Sequence, residues 1–449
     1  MVSIGVATSV FPVATAQAQA AEAPQSPRVA ALAQHDAQSR TQAAEKFWAE
    51  AGAQRTPLVE PIANDPGHSL VTFLWRAKEP IENVLLVSGL TNHSLAPEYF
   101  RRNSLHRLAG TDVWYLSFRV RSDARFTYQF LVNEPAVAAG ADLSSRDVHL
   151  QPDPLNPRHP RPEDQDESLV ELAQAPPQPE IKRSGVPKGE LTEHTFTSEL
   201  LNNRRKVWVY TPASGLRPLR LLIVLDGEAY TSDIPTPVIL DNMLAAESIP
   251  ATLAVFVGNV EGDQPATRTR ESSCYPPFTR FLAKELLPWI AARYPVPRKP
   301  QDVTIAGASR GGLAATCAAL DHPERFGNVI SQSGFFVWQD RNWFKYADPH
   351  GAPDAASREE LAWDRYGTVM HRVATKPNVP VRFYLEVGRF ENDFHPSPLT
   401  ATRHFRDVLI AKGYDMCYQE FTGAHSAVNW RGSLGNALRF ALGDAKCAE

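Results

Sequence analysis

Residues Val303–Ala315 read V-T-I-A-G-A-S-R-G-G-L-A-A, and the reading of this stretch decides the fold. Val303–Ala308 has the make-up of a buried strand, and Ser309–Leu320, rich in alanine, that of a helix. Between them stands G-x-S-x-G-G, with Gly307, Ser309, Gly311 and Gly312. A nucleophilic serine has to stand clear of the backbone on a tight strand-to-helix turn. Glycines at 307 and 311 remove the Cβ atoms that would collide there. The helix that follows aims unpaired N–H groups and a positive dipole end at the place where an oxyanion would form. Gly and Ser clusters also mark ordinary turns, but the strand before and the helix directly after set this one apart. Ser309 is the candidate nucleophile.

Outward from the turn, strand and helix alternate. Leu219–Asp226 (LRLLIVLD) is a continuous apolar run, as expected of a strand buried on both faces. Asn328–Gln332, Val381–Val387 and Met416–Phe421 are further strands, and Phe281–Tyr294 is helical. Pro398–Lys412 is a helix with Ser397 as N-cap, Pro398 at its first position and Gly413 past its end. The alternation predicts α/β architecture: an α/β-hydrolase fold over residues 189–449, its sheet mostly parallel and covered on both faces. In that fold the acid and then the base follow the nucleophile, each on a loop after a strand. His425 follows Met416–Phe421 through Thr422-Gly423-Ala424 and is the candidate base, whereas His404 falls mid-helix and His371 precedes any suitable strand. The acid is expected after Val381–Val387, at Glu391 in preference to Asp393. Glu386, inside the strand, reads as a structural carboxylate paired with an arginine. Oxyanion donors are expected from the backbone N–H of Arg310 and of Gly227 or Glu228, where the strand Leu219–Asp226 ends. His, Cys, Asp and Glu show no metal-ligand spacing, so the expected hydrolysis uses no metal and no cofactor.

A chain of 449 residues is long for one core and predicts two domains. Residues 27–51 have helical periodicity; Leu70–Trp75, Asn83–Ser88, Val113–Arg119 and Phe126–Val132 then read as short strands. Residues 23–150 are therefore expected to form a helix plus a small all-β, sandwich-like domain. Residues 151–188 are dense in proline and read as an extended linker. Residues 1–22 resemble a signal peptide ending at Ala18-Gln19-Ala20, although no Lys or Arg precedes Arg28. A disordered Ala-rich tail is the competing reading. The expected location is periplasmic or secreted, with the cytoplasm as alternative, and the apolar run is too short for membrane insertion. A net charge of -4 gives no footprint for nucleic acid. Of four cysteines, Cys317 reads as a buried small hydrophobe, and an oxidising compartment would allow one disulfide, whose pair the sequence does not choose.

The chain resembles the enterochelin (enterobactin) esterases over nearly all its mature length. The resemblance rests on VTFLWR (Val71–Arg76), AGTDVW (Ala109–Trp114), DPLNP (Asp153–Pro157), LDGEAY (Leu225–Tyr230) and TRTRESSC (Thr267–Cys274). It continues in KELLP (Lys284–Pro288), GASRGG (Gly307–Gly312), SQSG (Ser331–Gly334), LEVGRFE (Leu385–Glu391) and GAHSAVNWRGSL (Gly423–Leu434). The resemblance implies a β domain beside an α/β-hydrolase, and cleavage of the esters that join catecholoyl-serine units. Iron would then enter only as part of the substrate, a small-molecule ferric siderophore. Carried over by motif, the family's serine falls on Ser309, its histidine on His425, its acid on Glu391 and its site arginine on Arg268. The family's GGHD reads Gly423-Ala424-His425-Ser426 here, its CWRG reads Asn429-Trp430-Arg431-Gly432, and a family leucine is Ser272. These departures bear on substrate preference.

A ferric triscatecholate is an anion, so its site needs cations even in a net-acidic protein. Arg268, Arg270, Arg310, Arg389 and Arg431 fall in or beside the motif segments. Arginine suits the task through its fixed charge and planar fork. Trp430 and Trp338 are candidates for stacking on catechol faces. Two other functions fit the same catalytic fold: a feruloyl or acetyl esterase acting on plant polysaccharide, and a siderophore-binding protein without turnover.

Overall fold

The computed structural model of the chain describes residues 25–447 apart from 37, 92, 144–145, 214–218, 263–264, 339–366, 393–396 and 444. The expected signal peptide and Asp393 lie outside the described residues.

The first eight strands are β1 (Leu58–Pro61), β2 (His68–Arg76), β3 (Val84–Ser88), β4 (His106–Arg107), β5 (Val113–Arg121), β6 (Arg125–Val132), β7 (Leu150–Gln151) and β8 (Ser168–Glu171). They form two sheets, one ordered β1-β2-β5-β4, the other built on β6, which pairs with β3, β7 and β8. The sheets face each other through Val71 and Phe73 of β2, Leu116 of β5, Leu86 of β3 and Phe126 and Phe130 of β6. This is the expected sandwich. Helices Pro27–Ala33 and Arg40–Gln54 cover the other face of the first sheet, where Val29, Phe47 and Trp48 meet Leu58, Leu74 and Tyr115. β2 is thus buried on both sides, which is why its apolar run does not alternate.

The proline-rich stretch is not a free linker. Its residues Ser168–Glu171 pair with Arg125–Tyr128 of β6, and Val170 and Leu172 enter the sandwich core. Asp153 accepts a 2.7 Å hydrogen bond from the buried Tyr128 hydroxyl. Prolines forbid a helix here, but an extended chain can still lie along a sheet edge. The first domain therefore runs on through β8.

The remaining strands are β9 (Glu190–Ser198), β10 (Asn203–Thr211), β11 (Arg220–Leu225), β12 (Thr252–Val260), β13 (Val303–Ala308), β14 (Asn328–Gln332), β15 (Arg382–Gly388) and β16 (Met416–Phe421). They form one eight-stranded sheet, ordered β16-β15-β14-β13-β11-β12-β10-β9. Pairs from β12 through β11 and β13 to β16 are parallel; β9, β10 and β12 pair antiparallel. Helices Arg310–Asp321 and Pro398–Ala411 pack on one face through Leu313, Phe405 and Leu409; Thr236–Ala245 and Ala427–Leu442 pack on the other through Ile239, Met243 and Leu438. The fold is that of an α/β-hydrolase.

Two disulfides join Cys274 to Cys317 and Cys417 to Cys447. Cys317 is buried as expected, but it is bonded, and there are two bridges where the sequence reading allowed for one. The domains also touch. The Arg125 amide donates to Thr422 O at 3.1 Å, and the Phe126 and Phe390 rings meet edge to face at 6.0 Å.

Candidate active site

Ser309 lies at the carboxyl end of β13 with φ 55° and ψ -121°, a backbone conformation that side chains disfavour. The turn is as tight as the glycines suggested: a Cβ on Gly307 would come within 2.5 Å of the Gly311 backbone carbon. Helix Arg310–Asp321 begins directly after it. The loops after β11, β15 and β16 open at the same edge of the sheet, and they carry Gly227, Glu391 and His425 respectively.

His425 and Glu391 are brought together. The imidazole Nδ1 lies 2.7 Å from Glu391 Oε2. Glu391 is fully buried, and its other oxygen accepts from the Gly388 amide at 2.7 Å and the Ser333 hydroxyl at 2.6 Å. A buried carboxylate that only accepts fixes the proton on Nδ1 and leaves Nε2 as the basic nitrogen. Trp430 stands edge-on to the imidazole, ring centroids 4.9 Å apart, and its indole N–H donates to Ser333 Oγ at 2.9 Å. Trp430 thus walls the candidate base His425 and bonds to Ser333, which in turn donates to Glu391. Ser333 was not found from sequence, since nothing in SQSG marks its second serine as facing an acid.

Glu386 is fully buried but paired with no arginine; it accepts from Gln332 Nε2 at 2.8 Å and Ser433 Oγ at 2.6 Å. Burial pushes its pKa up to about 7. The expected ion pair fails because this carboxylate, between β14 and β16, meets the neutral donors of Gln332 and of Ser433 on helix Ala427–Leu442.

On the other side of Ser309, Asp226 has left-handed backbone angles (φ 56°, ψ 53°) and opens the helix Gly227–Thr231, which puts Gly227 and Glu228 after β11 as expected. The Glu228 carboxylate accepts from the Asn259 amide at 3.0 Å, and burial raises its pKa. Arg268 clasps Asp226 with two bonds, Nε to Oδ1 at 2.6 Å and Nη2 to Oδ2 at 2.7 Å. Those hydrogen bonds, opposed by burial, raise the Arg268 pKa. Helix Pro265–Glu271, which carries Arg268 and Arg270, is anchored by Glu271, bound to buried Arg205 of β10 at 2.8 and 3.0 Å. Arg205 and Glu271 also escaped sequence reading, because the strand and helix that pair them are far apart in the chain. The Arg310 guanidinium lies over the Phe335 ring at 4.4 Å; burial, and then the charge of Arg268, pull its pKa down to about 10. Two cations thus share the Ser309 side of the cleft.

The other expected binding residues are spread out. Arg270 lies over the Tyr275 ring at 5.5 Å. Arg389 pairs with Glu420 at 3.3 Å on the rim of the sheet. Arg431 does not face a ligand: it is 9% exposed and donates to Pro160 O at 2.6 Å and Gln178 Oε1 at 3.1 Å, tying the proline-rich stretch to the catalytic domain. Trp338 is 6% exposed and sits in the core beside the nucleophile helix, so it offers no ring face for stacking.

Two family models match the chain: Enterochelin esterase, N-terminal, over residues 70–181, and Esterase over residues 198–441. The iron(III) enterobactin esterase of Dickeya dadantii is 30% identical over 433 residues, covering 89% of this chain and 93% of that protein. The chain belongs to the enterobactin esterase family. This esterase is a carboxylic ester hydrolase, and solved relatives share its two-domain form. The ferric enterobactin esterase of Salmonella typhimurium matches with a TM-score of 0.68 at 26% identity, covering 87% of this chain and 98% of that one. The Shigella flexneri enterobactin esterase, solved in the presence of enterobactin, matches with a TM-score of 0.67 at 25% identity, covering 88% and 97%.

Proposed function

We propose that this esterase hydrolyses the ester bonds of a ferric catecholate siderophore of the enterobactin type and so releases its iron. The observation that carries the reading is the pair of guanidiniums, Arg268 and Arg310, beside Ser309 in a chain whose relatives are named for enterobactin. Ser309 Oγ attacks the ester carbonyl carbon while His425 Nε2 takes its proton. Glu391 holds the ring and stabilises the imidazolium that forms. The oxyanion is met by the backbone N–H of Arg310 and of Gly227 or Glu228. As the C–O bond breaks, His425 returns the proton to the departing serine hydroxyl of the siderophore. Water then enters, His425 takes its proton as the water oxygen attacks the acyl carbon, and the proton passes to Ser309 Oγ as the acyl–Ser309 bond breaks, leaving a free carboxylic acid and the starting enzyme. Each cycle opens one ester, and iron leaves as cargo of a weakened chelate. No cofactor has a part in these steps.

The reading is tested by incubating the protein with ferric enterobactin and with methyl ferulate and weighing the products. Ser309→Ala is expected to lower kcat by about 10³-fold or more on any accepted ester. Arg268→Ala should raise KM for the ferric anion far more than for p-nitrophenyl acetate, which has no charge to meet. If the ratio of the two kcat/KM values stays unchanged and feruloyl esters are cleaved faster, the plant-polymer esterase reading replaces this one. A tight complex without turnover would leave a binding protein.

We also propose that the protein works outside the cytoplasm, in the periplasm or secreted. Two cystine bridges support this, because such bonds persist in oxidising compartments. Protein from the native host should fractionate with the periplasm or medium and present no titratable thiol. Recovery in the cytosol with reduced cysteines would refute it.

A further inference from the structure

We propose that Ser333 is a positioning residue for the reaction, fixing the carboxylate of Glu391 through a hydroxyl whose direction Trp430 sets. This inference rests on the Ser309–His425–Glu391 reading above and adds a part to it. The hydroxyl has one proton and two neighbours of fixed character. Trp430 Nε1 can only donate, and it does so at 2.9 Å; an ionised Glu391 can only accept, and does so at 2.6 Å. The proton of Ser333 therefore has one place to go. With the Gly388 amide at 2.7 Å, it clamps Oε1 and leaves Oε2 for His425 Nδ1, also at 2.7 Å. Three donors in fixed directions define the plane of the carboxylate, and that plane sets the imidazole.

The backbone holds Ser333 for this task. β14 ends at Gln332, and Ser333 turns left-handed with φ 50°, while its amide donates to Glu386 O of β15 at 2.7 Å. The side chain is consequently thrown across the end of β15 toward the loop that carries Glu391. Ser333 is itself fully buried, so water cannot replace its hydroxyl. The same Trp430 that donates to Ser333 packs its ring on His425, so acid and base are braced by one side chain from helix Ala427–Leu442.

The test is a double-mutant cycle in the full-length, disulfide-bonded protein, with p-nitrophenyl acetate as the probe. Ser333→Ala should lower kcat about 10-fold or more with KM little changed, because the loss falls on orientation of the base. In a Glu391→Ala background the same change should cost less than about 2-fold, since the group it positions is gone. A purely structural role would cost the same factor in both backgrounds. That result, or full activity of Ser333→Ala beside an impaired Glu391→Ala, overturns the positioning role and leaves the triad standing. A silent Glu391→Ala brings down the triad's acid and this inference together.

Discussion

Glu386 stands inside β15 and Glu391 three residues past its end, and the two carboxylates meet different surroundings. Glu391 receives two hydrogen-bond donors on one oxygen and faces the imidazole Nδ1 of His425 with the other. Glu386 receives only the neutral donors Gln332 and Ser433, and desolvation lifts its pKa to about 7. A consequence for stability follows. Between the unfolded pKa of a glutamate, about 4.3, and the folded value, the native state keeps a proton that the unfolded chain has lost. Unfolding then releases that proton, so stability contributed by this group is present at low pH and falls as pH rises toward 7. Above 7 both states are ionised, and the buried charge costs a constant amount on the order of 3–4 kcal/mol. Glu386→Gln removes the ionisation while keeping the acceptor and the shape. Its midpoint in urea, relative to the parent, should be close at pH 4.5 and increasingly higher up to about pH 7.5. A difference that does not change across that range would mean Glu386 does not titrate in the folded state.

At the scale of elements, sequence reading succeeded where sterics leave one choice. The run β13–Ser309–helix Arg310–Asp321 was legible because only glycine fits where Gly307 meets Gly311, and because a strand buried on both faces is apolar throughout. β11, β14, β15 and β16 were legible for the second reason, and chain order then gave His425 and Glu391. β9 and β10 were not: they pair antiparallel at the sheet's edge, and β9 reads ELTEHTFTS, with only Phe196 and Ser198 buried. Nor was β8, whose few apolar residues sit among prolines and find their core only through β6. The expected binding residues divide the same way. Arg268 and Arg310 lie within motifs bound to the turn itself. Arg431 and Trp338 were assigned by closeness in sequence, and a helical residue next to a site residue in the chain can point elsewhere. The bridge between Cys274 and Cys317 shows what spacing cannot give, since it joins the end of the segment bearing Arg268 to the helix behind Ser309 only once both are folded.

At the scale of the molecule, the sandwich is docked on the loop that carries His425, the proposed base. Gly89 follows β3 directly, and a Cβ placed on it would come 2.8 Å from the Ala424 Cβ and 2.9 Å from the Phe126 Cβ. Ala424 is the residue before His425. Close by, His93 is held neutral by burial, its pKa down to about 4, and its ring lies 3.2 Å from Thr127 Oγ1 of β6. Together with the bond from Arg125 to Thr422 and the ties of Arg431, this makes the first domain one wall of the site. Its surface therefore sets where the imidazole stands, even for a substrate too small to touch the sandwich. Gly89→Leu tests this role, because the added side chain meets Phe126 of the sandwich and Ala424 of the catalytic domain at their contact. The two walls must move apart, and His425 moves with Ala424. We expect kcat on p-nitrophenyl acetate to fall about 10-fold or more, since a displacement of about 1 Å at a catalytic group costs that much or more. Circular dichroism should be unchanged, and thermal scans should show the two domains unfolding with less cooperativity than in the parent. Full activity in Gly89→Leu would mean that the sandwich is only a neighbour of the active site.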